Sequence, residues 1–469
     1  MDDNTRHRSR LPIRARVATT VGGAAATVSR LAGKGDGSVI GGVISLRLAP
    51  DLLSLLAAGR RVVLVTGTNG KTTTTKLITA ALAPLGGQIA SNIYGANMEA
   101  GLTSALTRAP DARVAVLETD EKYIPAMVRA TSPKVVVLLN LSRDQMDRAA
   151  EIWLLARRWR EALAAAPDCR VVANADDPLV AWAAGSARQV TWVAAGQRWR
   201  EDSWCCPNCG AHLQRDRYDG GAIGRAPGGR VLQSWPADMD QTDGQRQDWS
   251  TRPGGRPPEG QQREGDDWSC GECGQRRPPV SWMLYDNEVI DPKGRATRLD
   301  LALPGRANRS NAVIALAVAD AFGVHTGQAL RELRQVTSVA GRYTQVSRRG
   351  CDVRLLLAKN PAGWLEALDV IAPPPAPVLL SVNAQGPDGR DTSWLWDVDF
   401  RRLRGRNVLV GGERKLDLAV RLEADEVAFK LVDDIDEAID AARAVAPNLE
   451  VLANYTAFQQ YRVALGRVQ

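Results

Sequence analysis

Histidine is nearly missing: 469 residues hold three, His7, His212 and His325. A chain so poor in imidazole lacks the usual side chain for moving protons near neutral pH. No nucleophile-elbow sequence is evident, and neither Cys169 nor Cys351 has a histidine close by in sequence, so hydrolysis through a Cys–His or Ser–His pair is not expected of this chain alone. Long apolar runs are also lacking. Without a run of about 20 apolar residues no membrane span is expected. The stretch from Val21 to Val28 is too short and Ala/Gly-rich to resemble a secretory signal, so a cytoplasmic location is expected. Outside one cluster cysteine is scarce, since five of the seven lie between Cys205 and Cys273. That clustering excludes a disulfide framework and points to a metal site in a reducing compartment.

What is present implies two or three domains, because the chain is too long for one ordinary core. A net charge of +7 is modest and by itself selects neither nucleic acid, anionic lipid nor phosphorylated substrate. The charge is biased at the start, where Arg6, Arg8, Arg10, Arg14, Arg16, Arg30 and Lys34 face only Asp2 and Asp3. Residues 1–45 read as a basic arm, either near anionic lipid or solvated.

From residue 61 short β-rich runs alternate with helical stretches, the pattern of an α/β domain with a mostly parallel sheet. Val62–Val65, Val114–Leu117, Val135–Leu139 and Val171–Ala173 are its expected strands. Between about 198 and 283 the text breaks into Gly, Pro, Trp and charge, as in GGAIGRAPGG and TRPGGRPPEG, bracketed by CCPNCG and CGECG. This reads as an inserted lobe with a floppy middle. Regular structure is expected to resume at Val280, with a helix burying Val313, Leu316, Ala317 and Phe322. A second α/β unit is expected over 341–469, with strands Val353–Leu357, Val378–Val382 and Val408–Val410 and helices after Pro361 and over Asp434–Val445.

The strongest local signal is a strand, VVLV, running into TGTNGKTTTTKL. Glycines at 67 and 70 let backbone amides approach phosphate oxygens, Lys71 supplies a cation, and the next helix adds its N-terminal dipole. Gly67, Thr68, Asn69, Gly70, Lys71, Thr72 and Thr73 are therefore the candidate ATP loop. The common Walker A spacing would require glycine at position 65, where Val65 stands. Thr72 is placed to hold Mg²⁺, and Glu118, at the end of strand VAVL with Asp120 and Glu121 beyond, is the candidate second ligand. Cys206-x-x-Cys209 and Cys270-x-x-Cys273 form two knuckles able to close a tetrahedral Zn²⁺ site with no open position, hence structural, with Cys205 an alternative to Cys206 that the CPNC spacing disfavours.

Together TGTNGKTTT, NIYGAN (Asn92–Asn97), LETDE, NLSRDQMDR and NADDP resemble the central ATPase domain of Mur ligases. LAKNPAGW (Leu357–Trp364) and DGRDTSWLWDVDF (Asp388–Phe400) resemble the MurT branch in particular, and the likeness covers most of residues 61–415. The resemblance implies a Mur-ligase-type ATPase domain over 46–340 with a parallel-rich sheet and an inserted four-cysteine, zinc ribbon-like lobe at 198–283, followed by a Rossmann-like α/β domain that contacts a partner. It implies that ATP phosphorylates a carboxylate to an acyl phosphate, which a nitrogen nucleophile attacks. For the MurT branch it implies the α-carboxyl of D-glutamate in lipid II, at the inner face of the membrane, amidated with ammonia from a GatD-like glutaminase. Asn174 and Asp177 in NADDP become nucleotide-side candidates, and Asn308 and Asn311 candidates to contact adenine. The family's usual aromatic is absent at the segment holding Arg309 and Ser310. Asp391 is implied as the carboxylate that completes the partner's catalytic triad. The phosphate loop begins at residue 66, which leaves no room ahead of it for the uridine-nucleotide domain of ordinary Mur ligases. Two other readings are a stand-alone amino-acid ligase, which leaves DGRDTSW unexplained, and a zinc-containing nucleic-acid-binding ATPase, against which acidic residues are mixed in around the knuckles. No nucleic-acid partner is expected.

Overall fold

The computed structural model describes residues 11–31, 38–92, 96–143, 149–215, 267–337, 343–385 and 388–466. The middle of NIYGAN, part of NLSRDQMDR, the insertion's interior, Arg6, Arg8, Arg10, Lys34 and the expected domain junction at 341 lie outside them.

The chain opens with helices α1 (Ile13–Leu31), α2 (Ser38–Leu48) and α3 (Leu52–Ala57). The described part of the stretch read as a basic arm is thus helical, over Ile13–Leu31 and again from Ser38. Its glycines and β-branched residues give weak intrinsic helix signals, and packing of α1 on α2 supplies what propensity does not.

The first sheet is built from β1 (Arg61–Thr66), α4 (Lys71–Ala81), β2 (Ile89–Ser91), α5 (Glu99–Arg108), β3 (Val114–Glu118), α6 (Ile124–Thr131), β4 (Val135–Leu138), α7 (Ala149–Ala164), β5 (Arg170–Asn174), α8 (Pro178–Ala184) and β6 (Gln189–Ala194). After the short pair β7 (Gln214–Arg215) and β8 (Trp268–Ser269), strands β9 (Trp282–Tyr285), β10 (Glu288–Ile290) and β11 (Ala296–Arg298) complete it. The order is β11-β10-β9-β6-β5-β4-β1-β3-β2, with β2 to β6 and β1 all parallel. Helices cover both faces, so β1 is apolar on both sides. Val62 and Leu64 enter one core while Val63 and Val65 enter the other, the period of two expected of a strand. The second core is closed by α9 (Arg306–Ala321) and α10 (Thr326–Arg334), and holds Val313, Leu316, Ala317 and Phe322 as expected. Strand β1 is flanked by β3 on one side and β4 on the other. The chain changes direction there, and the crevice at the carboxyl ends of these strands is where α/β sheets bind ligands.

The second sheet comprises β12 (Tyr343–Arg348), β13 (Cys351–Leu357), α11 (Pro361–Leu368), β14 (Val378–Ser381), β15 (Val408–Gly411), α12 (Lys415–Ala424), β16 (Phe429–Leu431), α13 (Ile435–Arg443), β17 (Asn448–Ala453) and α14 (Tyr455–Gly466). Its order is β12-β13-β17-β14-β15-β16, parallel except for β12. Val378 and Leu380 face one core and Leu379 the other. The fold class is the expected one, two parallel-rich α/β units with a cysteine lobe inserted in the first.

Candidate functional site

The loop after β1 needs two backbone conformations that a side chain would resist. Gly67 has φ +143°, and a Cβ there would lie 2.8 Å from Leu139 Cβ; Gly70 has φ +86° and caps α4. The turn is clamped from the loop after β4. The Asn69 amide donates to Asn140 Oδ1 (2.8 Å), Asn140 Nδ2 donates to Asn69 O (3.0 Å), and the Ser142 amide donates to Thr68 Oγ1 (2.9 Å). Asn69 also receives Asn360 Nδ2 at 3.3 Å, so the start of α11 in the second unit touches the phosphate loop.

Thr72 lies in the first turn of α4, and its hydroxyl donates to Glu118 Oε2 at 2.8 Å. Glu118 is 4% exposed at the end of β3, and buried Asn92 holds its backbone at both ends: the Glu118 amide donates to Asn92 Oδ1 (2.7 Å) and Asn92 Nδ2 donates to Glu118 O (2.8 Å). A hydroxyl and a carboxylate in contact beside a helix N-terminus are a hard-oxygen pair of the kind Mg²⁺ takes, so the residues fit that ion. Lys71 is buried and donates to Gly67 O (2.7 Å) and to Glu121 Oε1 (2.9 Å). Burial raises the Glu121 pKa, while Lys71 opposes the rise. Thr73 is buried in the same turn.

A cleft extends from this loop toward the second unit. It is lined by Asn69, Gly70, Asn174, Asp177, Ser310 and Asn311 among the expected region, and by Trp199, Arg198, Arg306 and Glu366, which the sequence alone did not single out. Asn174 Nδ2 donates to Gly196 O (3.3 Å). Asp177, wholly buried, accepts the amides of Leu141 (2.8 Å), Leu179 (3.0 Å) and Val180 (3.2 Å), so its carboxylate ties the loop after β4 to the start of α8. Burial lifts its pKa to about 6 despite those three amides. Asn308 does not join the cleft. It lies off the helix face shared by Ala307, Ser310, Asn311 and Ile314, and its amide donates to Pro304 O at 2.6 Å. Trp199 puts an aromatic ring on the cleft from a different segment than the one where the family's aromatic is missing, and Asp202 Oδ2 accepts its indole N–H at 2.6 Å. Opposite, Glu366 is pushed up by burial and drawn down by Arg198 and Arg306.

The four knuckle cysteines converge. Cys206 Sγ is 3.6 Å from Cys273 Sγ and Cys209 Sγ 3.5 Å from Cys270 Sγ, with all four sulfurs within 4.8 Å of one another. Zinc–sulfur bonds of about 2.3 Å in a tetrahedron put sulfurs about 3.8 Å apart, so the set fits that ion. Gly210 and Gly274 turn each knuckle with positive φ, and their amides donate to Cys206 O (2.9 Å) and Cys270 O (3.0 Å). Cys205 is outside the cluster and pairs by a β-bridge with His212. The lobe seats on α7 and on the turn leading into α8: Trp153 Nε1 donates to Pro207 O (2.8 Å), Trp268 Nε1 to Ala175 O (3.1 Å), and Arg277 pairs with buried Asp176 (2.6 Å).

Asp391 stands on an exposed loop after β14. Its Oδ1 accepts the Ser393 amide at 2.8 Å, a bond that lowers its pKa, and the carboxylate faces solvent. Asp388 is different: both its oxygens engage Thr456, in α14.

Residues 65–204 match the Mur ligase middle domain family and residues 357–458 the MurT ligase C-terminal family. Fold and site together define a Mur-type ligase. The chain is 28% identical over 426 residues to the lipid II isoglutaminyl synthase (glutamine-hydrolyzing) subunit MurT of Staphylococcus aureus, with 87% of each chain covered. It is 26% identical over 463 residues to the subunit of the same name from Streptococcus pneumoniae, covering 93% of this chain and 94% of that one. Among solved structures, a pseudomurein peptide ligase type C from Methanothermus fervidus superposes with a TM-score of 0.59 at 17% identity, over 87% of this chain and 79% of the other. The chain thus carries a Mur ligase middle domain and a MurT-type C-terminal domain in one polypeptide.

Proposed function

We propose that this chain is the ATP-using subunit of a two-protein amidotransferase that converts the α-carboxyl of D-glutamate in lipid II to the amide, giving D-isoglutamine for peptidoglycan synthesis. One observation carries the reading: a Mur-type phosphate loop with Thr72 bonded to Glu118 stands on the same chain as a MurT-type segment bearing the exposed Asp391.

ATP lies along Gly67–Thr73, where loop amides and the N-terminus of α4 face its phosphates. Lys71 exchanges Glu121 for a phosphate oxygen, and Asn174, Asn311 and Trp199 border the base and ribose. Thr72 and Glu118 hold Mg²⁺, which when bound offsets phosphate charge during transfer. A carboxylate oxygen of the substrate bonds to the γ-phosphorus as the bond from that phosphorus to the ADP oxygen breaks. Ammonia nitrogen then attacks the acyl carbon, phosphate departs with the C–O electron pair, and the nitrogen loses a proton. A GatD-like glutaminase with its own cysteine and histidine supplies the ammonia, and Asp391 orients that histidine. The four cysteines hold a structural Zn²⁺. The complex works in the cytoplasm at the inner membrane face.

The test is mass spectrometry of lipid II incubated with ATP, Mg²⁺, glutamine and the reconstituted pair. The expected product carries an amide nitrogen in place of one carboxyl oxygen. With Lys71→Ala the product vanishes while the partner still co-purifies; an undiminished product would remove the phosphate loop from the reaction.

A further inference from the structure

The two N-terminal helices are packed inside out. The face that α1 turns inward carries Ala15, Ala18, Gly22 and Ser29, all small. Gly22 meets Gly41 and Ser45 of α2 so closely that a Cβ on Gly22 would lie 2.5 Å from Gly41 O, and one on Gly41 would lie 2.7 Å from Gly22 O. The Ser45 hydroxyl donates to Ala18 O at 3.0 Å. The large aliphatic side chains point the other way. At about 100° per residue, Ile13, Val17, Val21, Val28 and Leu31 form one stripe along the whole of α1, 42–84% exposed, and Val39, Ile40 and Val43 do the same on α2, 37–44% exposed. Folding of this chain leaves that surface in water, and contiguous exposed apolar surface of this kind marks an interaction site.

Charge selects the occupant. Neither helix contains an acidic residue, and both carry arginines: Arg14 flanks the α1 stripe on one side, Arg16 and Arg30 on the other, and Arg47 ends the outer face of α2. An aliphatic stripe whose flanking charges are all positive fits the boundary between acyl chains and anionic headgroups. Small residues at the helix–helix contact with large aliphatics outward is also the arrangement used where the surroundings are lipid.

We infer that α1 and α2 form a docking surface for an anionic lipid bilayer, lying in its interface without crossing it. No helix among the described residues is long and apolar enough to span. The surface adjoins the site: Gly42 of α2 packs on Ala100 of α5, and just ahead of α5 the Asn97 carbonyl accepts the Asp120 amide at 2.9 Å, two residues beyond Glu118. Docking there presents the phosphate loop to a lipid-linked substrate, a purpose that rests on the function proposed above.

The experiment is co-sedimentation of the full chain with phosphatidylcholine vesicles, with and without phosphatidylglycerol, containing no lipid II. Binding is expected to the phosphatidylglycerol vesicles and to weaken with salt. Arg16→Gln, Arg30→Gln and Arg47→Gln should each lower partitioning about fivefold, and Val17→Ser with Val28→Ser should lower it further, all with ATP binding retained. Equal partitioning into both vesicle types, or no change in the variants, overturns the inference. So does a finding that the valine variants dissociate a dimer of this chain or a protein partner while vesicle binding persists. Amidation of detergent-dispersed lipid II separates the two claims: product without vesicle binding refutes the docking surface alone, and vesicle binding without product refutes the proposed function alone.

Discussion

Thr72 Oγ1 donates a 2.8 Å hydrogen bond to Glu118 Oε2, joining the first turn of α4 to the end of β3. The pair sets two oxygen ligands at the helix N-terminus where phosphate charge would gather. Thr72→Val keeps the shape and removes the oxygen, and Glu118→Gln removes the charge. Each should lower ATP turnover roughly 10²-fold or more, since metal stabilisation of transferring phosphate is worth several kcal/mol. Thr72→Ser should retain most activity. Turnover measured across a Mg²⁺ titration checks this, and unchanged Mg²⁺ dependence in both variants would dissociate the pair from the ion.

This pair was legible in the sequence because each member is marked by its own local pattern: Thr72 by the strand, glycine turn and helix start of VVLVTGTNGKT, and Glu118 by the strand end of VAVLE. Lys71–Glu121, the Asn140 and Ser142 clamp and Trp199 were not. Each depends on a loop from a distant strand: the register of β1 between β3 and β4 brings Glu121, Asn140 and Ser142 to the loop, and Trp199 arrives from the segment after β6, two strands beyond β4. The helices α1 and α2 were hidden for another reason: their packing uses glycine, alanine and serine, which carry little hydrophobic periodicity, while their large aliphatics form an outward face. The cysteine cluster was readable from spacing, although the chain between its knuckles gives no clue to where the lobe seats.

Trp199 borders the cleft proposed for the nucleotide, where no aromatic is available from the Arg309–Ser310 segment. If the adenine stacks on its ring, Trp199→Ala should weaken ATP binding roughly five- to a hundredfold, the equivalent of about 1–3 kcal/mol. Trp199→Phe should recover much of the loss. Calorimetric titration with a non-hydrolysable ATP analogue measures both, and equal affinity in all three proteins would assign the ring to packing.

Closing of the thiolate site should be a folding event. Cys206→Ser and Cys270→Ser remove the two buried members of the set and should lower the Tm and solubility, with nucleotide binding kept by the residual folded protein. Elemental analysis should find one zinc per wild-type chain. A chelator that extracts the metal without shifting the Tm would contradict a structural role.

Asp177 couples stability to pH. Burial raises its pKa from 3.8 to about 6 in the folded protein, so the folded state binds the proton more tightly than the unfolded state. The stabilisation is complete below the unfolded pKa and is lost as pH rises through about 6. The difference between the two values corresponds to about 3 kcal/mol. Urea unfolding of wild type should show this decline between about pH 4.5 and pH 7, and Asp177→Asn, which has no proton to lose, should lack it. Parallel pH profiles would refute the assignment.

Asp391 tests the two-protein account most directly. Its carboxylate is exposed, with one oxygen fixed by the Ser393 amide, as an acceptor that must meet an imidazole N–H across a subunit boundary has to be. Loss of an orienting aspartate from a hydrolase triad costs up to about 10⁴-fold by leaving histidine in the wrong tautomer. The measurement is glutamine hydrolysis by the reconstituted pair carrying Asp391→Asn. The account predicts that hydrolysis and glutamine-dependent amidation nearly disappear, that ATP binding is spared, and that high external ammonium partly restores amide product. Glutamine hydrolysis at the wild-type rate in that complex would contradict it.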